Sequence, residues 1–186
     1  MSNRIGSSLS IGLCWIACGL WLSACASRMD RVIARASGGL AYDAAYIPTA
    51  GGNLNTLAFL EKRAAWLGVT VTYRPEGHED LRGATGLSYQ QGHEKHVIVA
   101  DTLSVNGRIE VLAHELGHIF TPAFGNRMDA DVFAELVSVE VCERLGVNSS
   151  RAAALYLVGQ KGSLPVGKMY RAEIRFVADL LTRGFR

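Results

Sequence analysis

The hexapeptide "AHELGH", residues 113 to 118, interrupts the apolar run "RIEVLAHELGHIF" with two histidines and a glutamate. On an α-helix, positions i and i+4 lie one turn apart on one face, so His114 and His118 point at a common spot. The flanking Val111, Leu112, Leu116 and Ile119 demand that the same helix be buried. Buried polar groups without partners are costly, so whatever packs on this helix must satisfy all three. That requirement constrains the fold more than any other stretch of the chain.

One helical turn supplies the geometry at which zinc accepts two imidazole nitrogens, at about 2.0–2.1 Å. Glu115, next to the first histidine, is placed to act on a water made acidic by such an ion rather than on the ion itself. A catalytic zinc site takes a third protein ligand and keeps one position open. No histidine follows His118 in the chain, so the third ligand is a carboxylate or lies upstream. Glu135 is the leading choice, because it lies between Phe133 and Leu136 in the apolar helix "DADVFAELVSVEVCERLG", which follows after one short loop. Glu140 is the runner-up. Glu143 falls on another face, and Asp131 lies one turn before Glu135.

The 186 residues suit one domain behind a targeting segment. "LSIGLCWIACGLWL", residues 9 to 22, has the length of a signal-peptide apolar region and is short for a membrane span, which takes about 20 apolar residues. It ends in "LSAC", residues 22 to 25, which resembles the lipobox of bacterial lipoproteins, with Cys25 as the acylated first residue of the mature chain. Residues 1–24 are thus expected to be a signal peptide and 25–52 a lipidated cysteine with a flexible tether rich in Ala, Gly and Ser. Residues 53–186 are expected to be the folded domain. The implied location is a bacterial membrane facing the exterior or periplasm, the outer membrane if the envelope has two. An uncleaved anchor with the domain facing the cytoplasm is the alternative.

Of four cysteines, Cys14 and Cys18 would leave with the signal and Cys25 would carry lipid. Cys142 then stands alone, with no disulfide framework. Removing Arg4 from 19 basic residues leaves 18 against 17 acidic ones, without a basic face that would suggest nucleic acid.

Elsewhere the periodicity predicts a helix over "NLNTLAFLEKRAAWLG" capped by Asn53 or Asn55, a strand at "VTVTY" and a weaker one at residues 85–89. "HVIVA", residues 96–100, reads as a sheet strand. The "HELGH" helix is expected from Asn106 or Gly107 to Phe120, before Pro122, and the next from a cap at Asp129 to Gly146. A serine-capped helix at "SSRAAALYLVGQ" and a last one from Pro165 to about Arg183 complete an α+β order.

"HELGH" followed after a short loop by a helical glutamate resembles the gluzincin metallopeptidases. With "LGVTVTY", "KHVIVAD" and "AELVSVEVCERLGV", residues 53–147 look like the small ImmA/IrrE type of zinc peptidase domain and the related domain of plasmid antirestriction proteins. The resemblance implies a zincin-like fold and a zinc metalloendopeptidase acting on a peptide or protein. It implies His114, His118 and Glu135 as metal ligands and Glu115 as general base. Many gluzincins carry an aspartate four residues after the ligand glutamate, bonded to a histidine ligand. Here that position is Val139, so the role falls to Asp131 or Ser138 or is missing. A donor for the developing oxyanion is sought among Tyr89, His93, His96, Tyr156 and Tyr170, and the "HVIVA" strand is similar to the one that pairs with extended substrate in such folds. The competing reading is a catalytically silent, metal-containing binding or regulatory module.

Overall fold

The computed structural model describes residues 28–37, 52–159 and 164–185. The expected signal peptide and Cys25 lie outside the described residues, and among those described no helix is long and apolar enough to cross a membrane. The architecture is α+β, with seven helices and a three-stranded sheet among the described residues.

Helix α1, Arg28–Ser37, is a correction to the expected tether. Its composition reads as a leash, but Met29, Val32, Ile33 and Ala36 recur at helical spacing, and Met29, Val32 and Ala36 are fully or almost fully buried in the core. It holds two later parts of the chain. Asp30 takes both terminal nitrogens of Arg171, and Arg28 donates to the Val147 carbonyl at 3.2 Å.

Helix α2, Leu54–Trp66, is capped by Asn53, whose side chain accepts from the Thr56 amide at 3.2 Å. Gly68, at φ +76, turns the chain into β1, Val69–Arg74. A single 3₁₀ turn at Glu79–Leu81 leads to β2, Gly86–Gln91, and a hairpin through Gly92 returns as β3, Glu94–Ala100. Strand order is β1-β3-β2, with β1 parallel and β2 antiparallel to β3. The unbroken apolar run of β3 has a direct cause, since both its faces are covered. Val97 and Val99 enter the main core, while Ile98 and Ala100 pack with Leu81.

Helix α3, Val105–Ile119, starts slightly earlier than the periodicity predicts, because Ser104 Oγ accepts the Gly107 amide at 3.0 Å and so caps it. Helix α4, Arg127–Arg144, also starts early. Asn126 is its cap, accepting from the Asp129 amide at 2.8 Å, and Asp129 sits in the first turn, where a carboxylate suits the helix dipole. Helix α5, Ser150–Val158, follows Ser149 without a side-chain cap bond. The expected last helix is broken into α6, Val166–Met169, and α7, Arg171–Thr182. The break falls at Tyr170, whose ring turns onto Phe124 and Phe133.

Helices α3 and α4 run antiparallel in the centre. Going up α3 through Glu110, His114 and His118, the partners on α4 descend through Ser138, Glu135 and Asp131. Gly117 permits this close approach, since a Cβ there would stand 2.8 Å from the Ala134 Cα. Helix α4 is buried along its whole middle, with α3 on one side and α1, α5, α6 and α7 packed around the rest.

Candidate metal centre

Ile109, Leu112, Ala113 and Leu116 are fully buried and fix the rotation of α3. That rotation turns His114 and His118 together, with their Nε2 atoms 3.1 Å apart and the rings edge to face. Burial and the neighbouring His114 charge push His118 down to about 3, which favours its neutral imidazole at physiological pH. Burial opposes charge on His114 as well. The hydrogen bond and charge of Glu135 outweigh it and raise the pKa of His114.

Two carboxylates one turn apart on α4 face these rings. Glu135 Oε2 lies 2.8 Å from Nδ1 of His114, on the side of the ring opposite Nε2. Its other oxygen, Oε1, is buried with no hydrogen-bond partner. Asp131 Oδ1 lies 3.4 Å from Nε2 of His118 and shares its charge with Arg127, 3.9 Å away.

Strand β2 closes the third side. Gly86 lies so near α3 that a Cβ would meet Val111 Cγ1 at 2.4 Å and Glu115 Oε1 at 2.9 Å. Ser88, two residues along on the same face, donates its hydroxyl to Glu115 Oε2 at 2.7 Å. Burial raises the pKa of Glu115, while His114 and the Ser88 bond pull it back. From α5, Tyr156 sets its ring edge-on to His114 with centroids 5.6 Å apart. Burial and the nearby carboxylates of Asp131 and Glu135 keep its phenol protonated. These groups line one cavity of about 770 Å³, which β2 and the N-terminal part of α4 border.

The structure thus gathers His114, His118, Glu115 and Glu135 in one place. Glu140 is elsewhere, paired with Arg144 at 3.8 Å, and Cys142 is buried beside Ser138 away from the cavity. Ser138 does not hold a histidine, since its hydroxyl donates to the Glu110 carbonyl at 2.9 Å. Of the oxyanion candidates, Tyr156 and Tyr89 border the cavity and Tyr170 belongs to an aromatic cluster. His96 stacks on Tyr89 with centroids 4.9 Å apart, and His93 sits in the turn between β2 and β3. The "HVIVA" strand cannot receive a further strand, because β3 is central and both its edges are taken. The edge at the cavity belongs to β2.

Ser88 and Arg127 were not legible as site residues. Their signal is faint: Gly86 and Ser88 form a small, polar face on a strand, the kind of face another element can approach closely.

Among the described residues no three His, Cys, Asp or Glu side chains form a ready-made metal cage. The side chains here bond to one another instead, and the fit to a cation rests on their chemistry. Two Nε2 atoms converge, one imidazole is held neutral, and the Asp131 carboxylate stands 3.4 Å from Nε2 of His118. No family model, curated protein or solved structure matches this chain.

Proposed function

We propose that the chain is a zinc-dependent metalloendopeptidase of gluzincin type, similar to the ImmA/IrrE domains, anchored to a bacterial membrane as a lipoprotein through Cys25. The observation that carries this reading is the convergence of His114 and His118 Nε2 beside Glu115 in a cavity large enough for a peptide segment. The α4 carboxylates divide two roles. Asp131, on the Nε2 side, would be the third ligand with His114 and His118. Glu135, on the Nδ1 side, would accept that N–H and so fix the tautomer and orientation of His114. This exchanges the residues expected from the resemblance while keeping its spacing, a ligand followed four residues later by a carboxylate behind a histidine.

Zinc held there would supply the Lewis acidity that makes a water reactive near neutral pH and polarises a carbonyl. Glu115 takes the proton from the attacking water and returns it to the leaving amine as the peptide C–N bond breaks. Ser88 holds Oε2 of Glu115, leaving Oε1 for that transfer. Tyr156, with its ring against His114 and its phenol proton retained, would donate to the developing oxyanion.

The test is a proteome-wide cleavage comparison of wild type with Glu115→Gln, alongside metal analysis. Near one equivalent of zinc in both, with cleavage only by wild type, is the expected result. A variant that cleaves as well as wild type would sink the mechanism. A protein that retains zinc and a specific partner but cuts nothing would instead be the silent binding module.

A further inference from the structure

The docking of α1 limits how far the cavity can stand from whatever holds Cys25. Only Ala26 and Ser27 separate Cys25 from the start of α1. Three consecutive Cα–Cα steps span at most about 11 Å. The first residue of α1, Arg28, is fastened to the C-terminal end of α4, to Glu143 at 3.9 Å and to the carbonyl of Val147 at 3.2 Å. The cavity residues Asp131 and Glu135 lie on the same helix nearer its N-terminus. From Glu143 back to Asp131 is twelve residues, about 18 Å of helix. Adding a side chain's reach at either end, the cavity stays within about 40 Å of the Cys25 backbone. A free leash over residues 26–52 would extend to about 90 Å.

The joint is built to stay closed. Met29 and Val32 are buried, Asp30 is held by both nitrogens of Arg171, and Ile33 Cδ1 lies against Gly167, where a Cβ would come within 2.7 Å of it. Gly167 also abuts Leu136 of α4, so α1 is wedged behind the helix that carries Asp131 and Glu135.

We propose that α1 is a rigid joint that fixes the cavity close above the bilayer, and that the substrates are membrane-proximal segments of membrane-attached polypeptides. Cleavable bonds then fall within about a dozen extended residues of the lipid surface, at about 3.4 Å each. This rests on the reading of Cys25 as a membrane anchor and of the cavity as a peptidase site.

The experiment uses the protein purified from bacterial membranes and reconstituted into phosphatidylcholine vesicles that carry a fluorescent acceptor lipid. Met128, partly exposed next to the cavity-lining Arg127, is changed to cysteine and labelled with a donor. In the processed chain Cys142 is buried and does not compete for the label. Efficient energy transfer is expected. It should fall when thirty Gly/Ser residues, a coil of about 30 Å root-mean-square span, are inserted between Ser27 and Arg28. On substrates found in the proteome comparison, the insertion should add cleavage at bonds farther from the membrane. A label beyond reach of the lipid in the parent protein, or transfer and cleavage sites unchanged by the insertion, would overturn the joint. Failure to partition with vesicles would remove the anchor and this inference with it, while leaving zinc binding and Glu115-dependent cleavage standing.

Discussion

Glu135 meets His114 through Nδ1, at 2.8 Å, and not through the nitrogen that faces His118. A carboxylate in that position orients the ring and raises its basicity, and losing such a partner weakens metal binding by about 10- to 100-fold. Glu135→Gln is therefore expected to retain zinc with affinity reduced by about that factor. Asp131→Ala should lose it during dialysis against a mild chelator. Metal content against chelator concentration separates the two, and the reverse order would return the ligand role to Glu135.

Ser88→Ala removes the hydroxyl that fixes Glu115. A loss of about tenfold in kcat, equivalent to about 1.4 kcal/mol, with KM little changed, is expected. Steady-state kinetics on any substrate cleaved by wild type checks it, with unchanged zinc content as the control.

Gly117→Ala places a methyl 2.8 Å from the backbone of Ala134. Overpacking of this kind costs about 1–3 kcal/mol. It should also spread the two helices that bring His118 to Asp131. Gly125→Ala, where a Cβ meets nothing within 4 Å, is the comparison and should leave stability and metal affinity near wild type. Urea unfolding with a metal titration of each variant decides the matter.

Met29→Ala tests whether α1 belongs to the core. A fully buried methionine shortened to alanine costs about 2–5 kcal/mol, whereas the same change in a free leash costs nothing measurable. An unfolding midpoint equal to wild type would detach α1 from the domain.

Cys142 carries a thiol that burial, with the charge of Glu110, pushes up to about 12. At pH 8 about one molecule in ten thousand holds the thiolate, the species that reacts. Because the raised pKa favours the neutral form, reactivity should grow only as pH climbs toward 12 or the fold opens. Peptide-level mass spectrometry after alkylation should find Cys142 unmodified in native protein at pH 8 and modified in denaturant.

How far the sequence led can be seen residue by residue. The histidine pair and Glu115 were legible because helical spacing alone puts them on one surface, and the strand pattern of β1 and β3 was legible because alternation and a continuous apolar run have different burial causes. The contacts that Asp131 and Glu135 make with the two histidines were not. Both lie one turn apart on the same face, and which ring nitrogen each meets depends on the height at which α4 packs on α3, a quantity set by Gly117 against Ala134. Helix α1 was hidden by composition. Its alanines, glycine-rich surroundings and arginines outweigh three buried side chains until the partners on α4, α5 and α7 are known.

Helix α4 is enclosed at eleven successive positions, Val132 to Cys142. An ordinary surface helix has a face on which sequence can drift unnoticed, and this stretch has none. A saturation scan should show an unbroken intolerant band there instead of a stripe every three or four residues. Glu135 sits inside that band and Asp131 one step outside it, so on the proposed function selection for the chemistry and selection for a closed core would act on the same few codons. The site and the interior of this protein are therefore expected to change together or not at all.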